Sequence, residues 1–326
     1  MERKTSKKRR RRYVCHECNH VYQKTADGEL LFYDREDYLV CYTILSVTAR
    51  KYGVEILEVC FMVDHIHILL YAETCEIMAD FMRDYTSVFA QEYNESIGRT
   101  GQLFHKSYGS APKSGDKKMR SVIVYIGNNP VEKKLCVNAE DYRWNFLKYM
   151  VESCPFSEWK PTNSYSRPLR RAKKQVKTMA ELGLYLNYAK VRSMLSTVSG
   201  NEMELLTDFI VRAYSPFNEK RILAYYENWE QMIHAMHSTT GSEYDINERF
   251  YSGSDQVYMN MIRFVRDVLN LNPVRQVTVM RQGQKMKLAE LLRHKTGASS
   301  YQIRRFLQMR DSDGAAPKSL ICNEFV

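Results

Sequence analysis

The chain has 326 residues, 44% of them apolar and 26% charged, a composition ordinary for a soluble globular protein and long enough for two domains with a core in each. Its longest uncharged stretch near the front, residues 38–49, is too short to span a bilayer, and no apolar run follows the basic start, so neither a membrane span nor a secretory signal is expected there. The formal charge of +10 favours nucleic acid or an anionic surface as partner and does not choose between them.

In chain order, MERKTSKKRRRR puts eight Lys or Arg into residues 1–12. It reads as a basic disordered arm, either solvated or laid on a phosphate backbone. CHECNH then crowds Cys15, His16, Cys18 and His20 together. A zinc ribbon needs a second pair at similar spacing, and Cys41 stands alone, so this stretch is read as the lead into a first strand, HVYQK. The scattered cysteines fit free thiols in a reducing cytoplasm. DREDYLVCYTILSVTARKYG predicts a helix, with Asp34 as its cap and Gly53 as its stop. VEILEVCFM and HIHILLYA predict two strands of a hairpin. TCEIMADFMRDYTSVFAQEYNESIG predicts a long amphipathic helix ending at Gly98, with Tyr85 and Tyr93 as packing residues. GQLFHKSYG predicts a further strand, and 116–129 a helix stopped by Pro130. The order strand, helix, strand, strand, helix, strand, helix suits an α+β fold: a ferredoxin-like antiparallel sheet with helices on one face. This first domain is expected over 13–160, and a Pro- and Ser-rich linker over 161–174. A mostly α-helical domain is expected over 175–326.

Within CFMVDHIHILLY, residues 60–71, His65 and His67 stand one position apart. On a strand their imidazoles point the same way, while Ile66 and Ile68 point the other. The pair is either structural or two legs of a metal site. A third ligand is offered by KKMRSVIVYIGNNPVEKKL. On that helix Met119, Val122, Ile123 and Ile126 form one apolar stripe, with Tyr125 and Asn129 one turn apart at its border. Packed on the sheet, such a helix brings both to the sheet's edge. An amide oxygen can complete a hard-cation site, with Asn128 as the rival to Asn129, and a phenol beside a bound phosphate can attack phosphorus. Arg99, Lys106, Lys113, Lys117, Lys118 and Arg120 surround this region. With Phe104 and Tyr108 interleaved, they fit a single-strand track, the alternative being a solvated face.

These motifs resemble the single-tyrosine HUH transposases, which are IS200-like, and most closely the REP-associated tyrosine transposases. The resemblance runs over about residues 19–150 and rests on HVYQK, MVDHIHILL, GRTGQLFHKSYGS, YIGNNPV and DYRWNF in that order. Val63 and Asp64 depart from the family's usual Pro-Asn turn. The resemblance implies the HUH endonuclease fold. It implies a divalent metal, Mg2+ or Mn2+, held by His65, His67 and Asn129, and attack by Tyr125 on single-stranded DNA carrying a hairpin. The products would be a 5′-phosphotyrosine and a free 3′-hydroxyl, with strand transfer by reversal. It places the protein in a bacterial cytoplasm at the nucleoid, with no membrane partner and a second copy of the chain as a candidate partner. An HUH replication or conjugation nickase is the enzyme alternative, and a domesticated DNA- or RNA-binding protein the non-catalytic one.

Near the end, KMKLAELLRHKTGASSYQIRRFLQM predicts a helix-turn-helix over 286–310, with Gly297 closing the first helix and Ser299 or Ser300 capping the second. Gln302, Arg304 and Arg305 would face a DNA groove, unless the motif is an ordinary helical hairpin. On this reading the second half supplies binding, and the chain up to Lys160 is enough for cleavage.

Overall fold

The computed structural model describes residues 16–158, 161, 164–238 and 254–309. The basic arm and Cys15 lie outside the described residues. Four strands, β1 (Cys18–Lys24), β2 (Glu55–Phe61), β3 (His65–Tyr71) and β4 (Gly109–Lys113), form one sheet in the order β2-β3-β1-β4. All three pairings are antiparallel. This is the expected α+β class.

Local chemistry sets the first helices. α1 (Arg35–Tyr52) starts at Asp34, whose N–H donates to the Asp37 carboxylate at 2.8 Å, and stops at Gly53, which takes the left-handed conformation at φ 63°. α2 (Cys75–Ile97) starts where the Thr74 side chain accepts from the Ile77 N–H at 3.2 Å. Its stop is Gly98.

The fourth strand lies later than expected. Leu103 and Phe104 are consecutive and both pack into the core of α1 and α2, whereas successive residues of a strand point to opposite faces. Only a single bridge, Thr25 to Phe104, forms there. β4 itself is an edge strand that tolerates Pro112.

α3 (Asp116–Glu132) runs through Pro130 instead of stopping at it. Pro130 sits in the last turn, where its missing N–H costs one helical bond, and the Lys133 N–H still reaches the Asn129 carbonyl at 3.1 Å.

Helices cover both faces of the sheet. α1 and α2 pack on the face carrying Val21, Val59, Phe61, Ile66, Ile68 and Leu70. α3 lies on the other face, where Met119, Val122, Ile123 and Ile126 meet Leu57, Cys60 and Leu69. The predicted stripe is therefore the one that packs.

The second half is largely helical, as expected, but its helices share cores with the first. Residues 167–174, expected in a linker, open α4 (Arg167–Glu181), with Ser166 as its cap. α4, α5 (Tyr188–Leu195) and α6 (Asn201–Ala213) extend the core of α1 and α2. α7 (Glu219–Leu223) and α8 (Trp229–Ser238) add Ile222, Met232 and Met236 to the core under α3. α9 (Gln256–Arg263), α10 (Gln282–Thr296) and α11 (Ser300–Leu307) form a third core that takes in Leu30, Tyr33 and Val63. Gly297 ends α10 at φ 66° and Ser299 caps α11. No helix among the described residues is long and apolar enough to cross a membrane.

Candidate active site

Strand alternation places His65, His67 and Leu69 on the face that α3 covers, since Leu69 packs with the α3 stripe and Ile66 and Ile68 with α1 and α2. The two imidazoles stand perpendicular with ring centroids 4.7 Å apart. A third imidazole joins them from β1. His20 stacks on His67 at 5.1 Å, and its Nε2 lies 2.9 Å from Nδ1 of His67. The Tyr125 ring of α3 meets both edge-on, at 5.6 Å from His67 and 5.7 Å from His20. One turn on, Asn129 is buried and its side-chain amide donates to the Tyr125 carbonyl at 3.4 Å. Asn128, the rival ligand, donates instead to the Met236 carbonyl of α8 at 2.8 Å.

The electrostatics favour neutral rings. Burial pushes His20 down to about 3, helped by Lys113 and His65. Burial also drives His67 well below the usual imidazole range, with His65, His20 and Lys24 adding to it. A neutral imidazole is the form that binds metal. Nε2 of His67 is buried and has no hydrogen-bond partner. His65 is held by its other nitrogen, Nδ1, 2.6 Å from Oδ1 of Asp64. Burial alone would raise the Asp64 carboxyl, but His65 and Arg305 outweigh it and hold it below the usual carboxylate range.

Among the described residues no group of three or more His, Cys, Asp or Glu side chains is arranged to hold a metal ion. The donors the fold offers are the imidazoles of His65 and His67 and, one turn past Tyr125, an amide. An orphaned buried Nε2 on His67 and a carboxylate-braced His65 suit imidazole donation to a cation.

The cations read from the sequence separate into two groups. Lys106, Lys117 and Lys118 are exposed, and Lys113 is half-buried on β4. Arg120 is exposed too, and its Nε donates to the Tyr225 carbonyl at 2.7 Å. Arg99 is tied down by an ion pair to Glu29 at 3.1 Å and a hydrogen bond to Gln308 at 2.8 Å. Phe104 is buried in the core of α1 and α2 and not open for stacking, and Tyr108 is half-buried against that core. On α11, Gln302 accepts from the Ser299 N–H at 3.0 Å, Arg304 is half-buried, and Arg305 points at Asp64.

His20 and Arg305 are the residues that sequence reasoning placed elsewhere. His20 was legible in principle, because a strand of alternating faces paired to β3 puts it on the histidine side.

Residues 28–129 match the family model described as Transposase IS200 like, a span that holds His65, His67, Tyr125 and Asn129. Among solved structures, a REP-associated tyrosine transposase bound to a REP hairpin is 12% identical, with a TM-score of 0.37 over 50% of this chain and 96% of that one. A proposed transposase from Deinococcus radiodurans R1 is 23% identical, with a TM-score of 0.28 over 37% of this chain and 97% of that one. No curated protein matches the chain. The similarity to the IS200-like transposases extends over residues 28–129.

Proposed function

We propose that the IS200-like domain cuts single-stranded DNA and joins it to a new strand through a 5′-phosphotyrosine at Tyr125, with His65, His67 and Asn129 holding Mg2+ or Mn2+. The observation that carries this reading is the seat of Tyr125, edge-on to His67 at 5.6 Å within the segment that matches the family. If Nδ1 of His67 donates to Nε2 of His20, the resulting tautomer leaves a lone pair on the partnerless Nε2 of His67. His65, braced at Nδ1, presents its own Nε2 in the same way. The amide oxygen of Asn129 suits a hard cation.

When bound, the cation neutralises charge growing on the phosphate oxygens and eases loss of the phenol proton, whose ordinary pKa is ~10. Tyr125 attacks phosphorus: its O–P bond forms as the phenol gives up its proton, the P–O3′ bond breaks, and the departing O3′ takes up a proton to leave as a 3′-hydroxyl. The ester energy is kept in the covalent link, so a 3′-hydroxyl from another strand can reverse the step and make the joint. Lys106, Lys113, Lys117, Lys118 and Arg120 supply phosphate contacts for the strand. Gln302 and Arg304 of α11 contact a hairpin stem, whereas Arg99 and Arg305 are held by contacts within the protein.

The test is incubation of the full chain with hairpin-bearing single-stranded DNA and Mg2+ or Mn2+, followed by a denaturing gel. A covalent protein–DNA adduct is expected, lost with chelator and in folded His65→Ala or His67→Ala variants. Undiminished cleavage in excess chelator contradicts the metal site.

A further inference from the structure

We infer that Arg305, on the last helix of the described chain, is a positioning residue of the histidine site: it fixes Asp64, and Asp64 fixes the tautomer and direction of His65. The inference uses the function proposed above only for its consequence, cation affinity.

The geometry is a relay of two contacts. The Arg305 guanidinium forms an ion pair with Oδ2 of Asp64, and the other oxygen, Oδ1, lies 2.6 Å from Nδ1 of His65. The guanidinium has further acceptors, the Gly28 carbonyl and the Tyr258 hydroxyl, the latter at 3.1 Å. It therefore sits between three parts of the chain: the loop after β1, the β2–β3 turn and α9. Its side chain is 16% exposed. The C-terminal end of the helix that carries it is tied to residues 30–33, since the Tyr33 hydroxyl donates to the Phe306 carbonyl at 2.7 Å and the Gln308 amide to the Leu30 carbonyl at 3.1 Å.

An arginine that merely solubilised α11 would need none of these acceptors. A planar fork engaging a carboxylate from a fixed base restricts how that carboxylate can turn. With Oδ2 committed to Arg305, Oδ1 is left to accept from His65, so the proton resides on Nδ1 and the lone pair on Nε2. Without Arg305, Asp64 is a half-buried carboxylate in a turn with one oxygen released, and His65 loses the group that sets its tautomer. A helix 241 residues away from Asp64 in sequence thereby becomes part of the site.

The experiment is histidine 15N NMR of the full chain, together with Mn2+ titration without DNA. Wild type is expected to show His65 as the Nδ1–H tautomer. Arg305→Ala should give a mixture of tautomers and weaken Mn2+ binding about 10- to 100-fold, the range seen when an outer-shell partner is lost. Asp64→Asn should do at least as much, and the double variant no more than Asp64→Asn alone. Arg305→Lys, which keeps the charge and loses the fork, should fall between wild type and Arg305→Ala. A folded Arg305→Ala with the wild-type tautomer and wild-type Mn2+ affinity overturns the proposal. If Arg305→Ala does not fold, Arg305→Gln takes its place, and unfolding of both makes Arg305 a scaffold strut and also overturns it. Wild type with Nδ1–H on His65 but no Mn2+ binding would reject the proposed metal site while leaving the Arg305 relay standing.

Discussion

Glu58 lies fully buried on β2, just past a register shift in the β2–β3 pairing, and neither carboxylate oxygen has a hydrogen-bond partner. Burial pushes its carboxyl well above the ordinary value of 4.5. The native state therefore holds a proton that the unfolded chain releases once the pH passes 4.5. This contribution to stability is full below that value and falls as pH rises. Glu58→Met removes both the unsatisfied group and the titration. The variant should be more stable than wild type by about 1–3 kcal/mol near neutral pH, with the gap narrowing as pH falls toward 4.5. Melting curves across pH check this, and parallel curves for the two proteins would contradict it. Nothing in the sequence marks Glu58 as buried, because one carboxylate in an apolar strand reads as an outward-facing residue. The histidine pair was legible because alternation alone puts His65 and His67 on one face. Arg305 was not, since its role comes from a tertiary contact that no local pattern encodes.

The helix α3 carries the proposed nucleophile, Tyr125, and also packs the core. Gly127, two residues past Tyr125, faces α8, and a Cβ there would lie 2.7 Å from Cε of Met236 and 3.4 Å from Cδ1 of Leu147. Two effects compete in Gly127→Ala. Helix propensity favours Ala by about 0.5–1 kcal/mol, while overpacking a filled core costs about 1–3 kcal/mol. A net loss of about 1 kcal/mol is expected, and Met236→Ala in the same chain should relieve part of it, so the two changes should not add. A Gly127→Ala protein melting above wild type would mean that α8 gives way freely. At this scale the sequence reads well where caps and periodicity act together, as in α1 and α2, and where periodicity alone sets the α3 stripe and the β2–β3 hairpin. It reads poorly at β4, where Leu103 and Phe104 both turn into the core. It also misses the start of α4, where cations and a proline suggest a linker. There Pro168 occupies the first turn, and Leu169, Ala172 and Val176 form a buried stripe.

Across the whole molecule, the two halves are not independent. Arg275, fully buried, pairs with Asp37 at the start of α1 and lies 3.5 Å from the centroid of Tyr188 in α5. Asp37 in turn accepts from the Tyr188 hydroxyl at 3.0 Å and from the Tyr33 N–H at 2.9 Å. Breaking a buried pair of this kind costs about 3–5 kcal/mol because the remaining charge is left uncompensated. A chain cut after Lys160 loses Arg275 and strips the second-half helices from all three cores. Such a fragment is expected to lack a cooperative melt and to bind a hydrophobic dye, in contrast to the self-sufficient catalytic half that sequence reasoning anticipates. A sharp unfolding transition for residues 1–160 would restore that division. The helical content of the second half is legible from periodicity. Its wrapping around the sheet is not, because shared cores are set by contacts between distant segments.

The central claim is that Tyr125, among 23 tyrosines, is the residue that takes up DNA. Its most direct test is peptide mapping by mass spectrometry of the complex formed with hairpin-bearing single-stranded DNA and Mn2+, on wild type and on Tyr125→Phe. The Phe variant loses one oxygen and keeps the buried ring, so it should melt with wild type. The account predicts a nucleotide-bearing peptide containing Tyr125 and no adduct in the variant. An adduct on any other tyrosine, or one that persists undiminished in Tyr125→Phe, would contradict it.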